Sequence, residues 1–252
     1  PALSFINYLL EDFGDEWVTK YMFHYRWYFE EDANNASTIL PLSDLATNMD
    51  DGTLKEVKKM IHDRQHGRLW VVGSNDTTAK LIDSSYRRFV KLMDDHLSVS
   101  RFLFGEKPSS ADFAIYGQLT QLIGFDPTSR RIASENSLRL VSWVDVMADL
   151  SGHDVNNSNW TSLEDSPPSL KEIMKEFGQM YVPALLANAK AIMEGDETWE
   201  TEIDGSTWKQ KAFPYQAKCL KWIKEEFNTL SKNDKTRIKT FLEGTGCEAI
   251  LD

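Results

Sequence analysis

The sequence predicts an all-α protein, a helical bundle followed by a C-terminal helical extension that carries one β-hairpin. Apolar residues recur at helical spacing along most of the chain, as in Ile82, Tyr86, Phe89, Val90, Met93 and Leu97. Clusters of Gly, Pro, Ser, Asn and Asp punctuate these stretches. Only at residues 198–210 does the period change, around Asp204-Gly205, a strong type I′ turn signal.

The elements follow in order. Residues 3–29 read as helix, with a break expected near Gly14, since Leu3, Ile6, Leu9 and Leu10 keep the spacing. Residues 34–51 are rich in Asn, Ser, Asp and Pro and read as a loop. A charged helix is expected at 54–66, with Gly67 at its C′ position. Thr77 or Thr78 is placed to cap a long helix reaching about Val99.

The segment Ser109-Ser110-Ala111-Asp112 then sets Asp112 three residues after an N-cap serine, a capping box with Asp in place of Glu or Gln. Pro108 and Phe113 occupy the hydrophobic-staple positions. The helix that follows has few charges on any face and is expected at the centre of the bundle. Another helix is read at 138–150 and a polar linker at 153–168. Residues 170–193 form a helix kinked at Pro183. In the hairpin Ile203 should face Ser206, Thr201 should face Trp208, and Glu200 should face Lys209. Helices at 215–230 and 232–242 close the chain, the first with Leu220, Ile223 and Phe227 inward.

The 252 residues are 41% hydrophobic and carry a formal net charge of -11, which argues against nucleic acid and anionic membranes as partners. No apolar run approaches the roughly 20 residues needed to span a bilayer. No secretory signal is visible, and the two cysteines, Cys219 and Cys247, suit a reducing compartment. These features place the protein in the cytoplasm. The chain opens on Pro1 and enters an amphipathic pattern at once, which points either to processing or to a segment cut away upstream.

The stretch RFLFGEKPSSADFAIYGQLTQL at 101–122 resembles the C-terminal helical domain of the glutathione transferase superfamily. The phrase FLFG followed by Ser-x-x-Asp and an apolar helix is similar to that domain's capping box and central helix, and the order of elements agrees. DEWVTKYMFHYRW at 15–27 and GRLWVVGS at 67–74 are similar to bacterial members of the family. The region from Ser166, including IDGSTWKQKAFPYQAKCLKW, resembles an extension that some of them carry. On this reading residues 1–155 form the glutathione transferase C-terminal-like domain, 156–168 a linker, and 169–252 the extension with its hairpin at 198–210.

The resemblance implies a protein that conjugates glutathione to a small electrophile, or reduces the electrophile with it, as a homodimer. Glutathione would be its co-substrate and no metal would be needed. The family's thiol-activating residue sits in a thioredoxin-like N-terminal domain, of which the chain shows no trace, so no catalytic residue is expected here. The helical domain would supply the electrophile pocket and the dimer surface.

Trp17, Tyr21, His24 and Tyr28 share one helical face and are the candidate pocket lining, with Lys20 and Arg26 near enough to attract an anion. The same aromatics would equally serve as bundle core. His62 and His66 have the spacing of a zinc-protease helix, but Asp63 stands where a Glu would be needed and no third ligand is signalled. Neither cysteine belongs to a Cys-x-x-Cys pair. The alternative function is a non-catalytic, glutathione transferase-like protein-interaction module.

Overall fold

The computed structural model describes residues 1–152 and 160–251. It is helical apart from one antiparallel hairpin. Helix α1 (Ala2–Phe13) runs through a π segment at Gly14–Val18 into α2 (Thr19–Tyr28) without a chain reversal. The expected break at Gly14 is therefore one wide turn. A Cβ at Gly14 would lie 3.0 Å from both the Ala114 Cβ and the Ile115 nitrogen, so the glycine lets this spine touch the neighbouring helix backbone.

Helix α3 (Glu30–Asp44) occupies much of the stretch that sequence composition marks as a loop. Its hydroxyls bond back onto the helix itself. Ser37 Oγ donates to the Ala33 carbonyl at 2.6 Å and Thr38 Oγ1 to that of Asn34 at 2.7 Å. Asp32 is buried and caps a different helix, accepting from the Thr128 amide at 2.9 Å. Polar residues that usually signal turns are here satisfied within and between helices. Pro41 sits in the last turn of α3, where only the bond to the Ser37 carbonyl is lost.

Helix α4 (Asp51–His66) starts earlier than expected, because Asp50 accepts from the Thr53 amide at 3.0 Å. Gly67 ends it in a right-handed conformation, not the left-handed one a C′ glycine usually takes. A 3₁₀ turn (Leu69–Val72) leads to α5 (Ala79–Leu97). Thr78 is its N-cap residue but makes no side-chain cap. The Asn75 carboxamide takes the Thr77 and Thr78 amides instead, and Thr78 Oγ1 donates to the Gly73 carbonyl.

Helix α6 (Ser110–Leu122) carries the capping box in full. Ser109 Oγ accepts from the Asp112 amide, and the buried Asp112 carboxylate accepts from the Ser109 amide at 2.8 Å. It also accepts from the Leu103 amide at 2.9 Å, tying the preceding FLFG turn to the helix. The staple does not form. Ala111, Ile115, Leu119 and Leu122 take the inward face, which turns Phe113 outward at 48% exposure.

Helix α7 (Pro127–Asn136) is an element the sequence reading passed over, although Asp126-Pro127 is a helix-start signal. Helix α8 (Leu138–Ala148) follows. The expected linker falls partly outside the described residues. Past them, Trp160 pairs with Gly105 as an isolated bridge, and the Thr161 amide donates to the Phe104 carbonyl.

Helix α9 (Pro168–Glu176), a second π segment (Phe177–Tyr181) and α10 (Val182–Glu194) form one long element, with Pro183 in the first turn of α10. At Gly178 the last turn of the chain crosses so closely that a Cβ would collide with the Thr245 carbonyl oxygen. Strands β1 (Thr198–Ile203) and β2 (Ser206–Lys211) pair in the register read from the sequence, with Ile203 opposite Ser206, Thr201 opposite Trp208 and Glu200 opposite Lys209. Asp204 and Gly205 both take positive φ, as a type I′ turn needs. Helices α11 (Pro214–Thr229) and α12 (Lys232–Leu242) and a 3₁₀ turn (Cys247–Ile250) complete the chain.

One hydrophobic core includes residues from Ala2 to Leu251. Phe5 meets Phe227, Phe13 meets Phe177, and Trp17 meets Trp208, each with ring centroids 5.4 Å apart. A smaller cluster of Trp27, Ala33, Ala36 and Leu69 lies under α3 and α4. Among the described residues no helix is long and apolar enough to cross a membrane.

Asp112→Ala is expected to cost about 2–4 kcal/mol, because it leaves the buried Ser109 and Leu103 amides without their acceptor as well as removing the cap. Urea denaturation of the wild type and variant measures this. A difference below ~0.5 kcal/mol would contradict it.

Candidate functional site

The four predicted pocket residues share a face of the α1–α2 spine, but three of them have no exposed surface. Trp17, Tyr21 and His24 are each 0% exposed, and Tyr28 is partly exposed. Trp17 is packed between Tyr181, at 5.9 Å, and Trp208 of the hairpin. The C-terminal extension thus covers Trp17, while Tyr21 is packed by Tyr86 and Phe89 and His24 by Tyr25, Tyr28 and Phe29, so in this structure these three side chains face the interior and not an open cleft.

Behind Trp17 runs a buried chain of hydrogen bonds. Its Nε1 donates to the Tyr21 hydroxyl at 2.9 Å, and that hydroxyl shares a 2.6 Å bond with Ser85 Oγ. Ser85 donates to Glu176 Oε1 at 2.6 Å. The Glu176 carboxylate also takes Arg88 Nε at 2.9 Å, and Arg88 reaches Asp204 in the hairpin turn at 3.0 Å. Burial and the nearby Glu176 charge push the Tyr21 phenol well above its usual range, so it acts as a neutral donor and acceptor.

His24 lies at the other end of this face. Its Nδ1 is 2.7 Å from Ser74 Oγ, and its ring stacks on Tyr28 at 4.7 Å. Its Nε2 is buried with no hydrogen-bond partner among the described residues. Burial pushes the imidazole down to about 4, against the opposing pull of Asp83, so the ring is neutral at physiological pH. The Tyr28 hydroxyl donates to Asp76 at 3.0 Å. This hydroxyl and Asp76 form the part of the predicted face nearest to solvent.

The two cations expected to draw an anion are otherwise engaged. Arg26 holds Asp126 through both carboxylate oxygens, at 2.9 and 3.0 Å, and donates to Gln121. Lys20 is buried, its ammonium 5.6 Å from the Trp17 ring centroid. Burial pushes it down to about 8, with Glu16 pulling the other way.

His62 and His66 stack at 5.8 Å on α4, and His66 Nδ1 lies 3.1 Å from the Trp27 carbonyl. Among the described residues no group of three or more His, Cys, Asp or Glu is arranged to hold a metal. Both cysteines are buried, and burial raises both thiols, that of Cys247 to about 12.

Sequence reasoning missed a group at the start of the spine. Asp12 accepts from the Tyr181 hydroxyl at 2.8 Å and Glu16 from Gln216 at 3.3 Å, so this acidic edge also binds the extension. Burial pushes the Asp12 carboxyl up to about 7, and the Glu16 and Asp15 charges add to the shift. Hydrogen bonds from Tyr181 and Cys219 oppose it. The run Glu11-Asp12-Phe13-Gly14-Asp15-Glu16 is visible in the sequence, but the partial burial of Asp12 and Glu16 depends on the π segment at Phe177–Tyr181 and on α11, which are more than 150 residues away.

Searches against protein-family models, curated proteins and solved structures returned no match to this chain.

A folded carboxyl that keeps its proton above the unfolded value of 3.8 costs stability as the pH rises from about 4 through about 7. Melting curves between pH 4.5 and 8 should therefore show wild type losing ground to Asp12→Asn as the pH rises. A constant offset between the two across that range would contradict the assignment.

Proposed function

We propose that this chain is the helical portion of a glutathione transferase-like protein that joins glutathione to a small electrophile, or reduces the electrophile with it. One observation carries the reading. The FLFG turn and the Ser109–Asp112 box, clasped by a buried carboxylate at the head of an apolar helix, reproduce the feature on which the family resemblance rests.

On this reading the glutathione peptide site and the thiol-activating group lie outside this chain, whose described residues contain one two-stranded sheet. Because Trp17, Tyr21 and His24 are packed inward, this chain's share of the electrophile site falls to the surface around Tyr28 and Asp76. The protein would act as a homodimer.

A second reading, a non-catalytic interaction module, draws support from the same closure. A domain whose predicted pocket face is filled by its own extension has less need of a small substrate.

Capture of the native protein from its source with an antibody to this chain separates the two. The transferase reading expects retention on immobilised glutathione and conjugation of a chlorodinitroaromatic electrophile. It also expects the isolated chain to do neither. Captured protein that shows neither property, but co-purifies with a stoichiometric protein partner, would overturn the transferase reading in favour of the module.

A further inference from the structure

A second surface bears on a different ligand. Between the C-terminal end of α5 and the outer face of α8 lies an open groove of about 440 Å³, within the range of roughly 300–1,000 Å³ typical of small-molecule sites. Leu97, Leu138, Trp143 and Val146 form its apolar floor, and Arg101 and Arg139 also line it. None of these residues belongs to the aromatic face of the spine.

Two features make the groove unusual for this molecule. First, two of its four apolar side chains are left uncovered: Leu138 is 70% exposed and Val146 40% exposed, while Trp143 is buried beneath them. Second, no carboxylate lines it, although the chain carries 39 acidic residues against 28 lysines and arginines. The nearby Asp94 is already committed, accepting from Ser137 Oγ at 2.8 Å and from Arg139 at 3.1 Å. Arg101 lies 5.4 Å over the Phe102 ring and meets no carboxylate among the described residues. Trp143 is held in place by its Nε1, which donates to the Arg101 carbonyl at 3.2 Å, so the floor and the charged rim are one unit.

An apolar floor with one guanidinium that meets no carboxylate among the described residues, Arg101, beside a second, Arg139, that Asp94 already engages, selects a ligand that is itself apolar with a single anionic end. Planar guanidinium groups suit a carboxylate, which they hold through paired hydrogen bonds. We propose that this groove binds a small straight-chain amphiphilic monocarboxylate, its chain on Leu138 and Val146 and its carboxylate on Arg101 at the rim, with the Asp94-paired Arg139 beside it. A cationic amphiphile with the same tail meets the same floor and the wrong charge.

Isothermal titration with decanoate below its micellar concentration tests this. Saturable 1:1 binding is expected, with no saturable heat from decyltrimethylammonium. Arg101→Gln should weaken decanoate at least ~10-fold, and Val146→Glu, which sets a carboxylate on the floor, should abolish binding. Both positions are exposed, so melting temperatures should stay within about 2 °C of wild type. Equal binding of anion and cation would overturn the proposal, as would undiminished binding in the Arg101→Gln/Arg139→Gln double variant. Self-association removed by Val146→Glu, with no decanoate heat in the wild type, would give the groove to a second copy of the chain and overturn it as well.

Discussion

The burial of Trp17 is the constraint on which the rest of this structure depends. The indole is reached from four directions: Tyr181 and Trp208 pack on its ring, the Lys20 ammonium approaches its face, and the Tyr21 hydroxyl takes its N–H. Truncation of a fully buried Trp costs about 3–5 kcal/mol, a large share of the 5–15 kcal/mol that holds a typical domain folded. Two of the packing partners come from the C-terminal extension. The same contact thus helps set the position of the extension and removes Trp17 from solvent.

The polar groups follow from that arrangement. An extension laid over α1 and α5 buries a carboxylate, Glu176, and a buried charge is tolerable only when its oxygens are fully engaged. Ser85 and Arg88 supply the donors, and Arg88 carries the connection on to Asp204 at the hairpin turn. The acidic edge is resolved differently. Asp12 is largely desolvated and has hydroxyl and thiol donors but no ion-pair partner among the described residues, so burial holds its carboxyl well above the usual range. These two carboxylates show how neighbours decide between an ion pair and a protonated acid.

Much of the fold was legible because the signals were local. The Ser109–Asp112 box, the stripe of α5 and the Asp204-Gly205 turn each sit within a short window, and the hairpin register follows from the turn alone. Helix α3 was not legible, since its polar residues are satisfied by its own carbonyls and by α7, which no local composition reveals. The candidate site was legible only as a face. Spacing placed Trp17, Tyr21, His24 and Tyr28 together. Whether that face is a cleft or a core depends on Trp208, almost 200 residues away in sequence. Phe113 failed as a staple for a related reason, because the inward side of α6 was already occupied.

Hydrogen exchange read by mass spectrometry tests most directly whether the extension closes this face as part of the native core. The account predicts that amides of the Trp17–His24 turns and of the β2 strand exchange only through global unfolding, with the same denaturant dependence. Hairpin amides that exchange through a separate opening of lower energy, accompanied by faster exchange around Trp17, would contradict it. The spine would then present an aromatic pocket whenever the extension lifts.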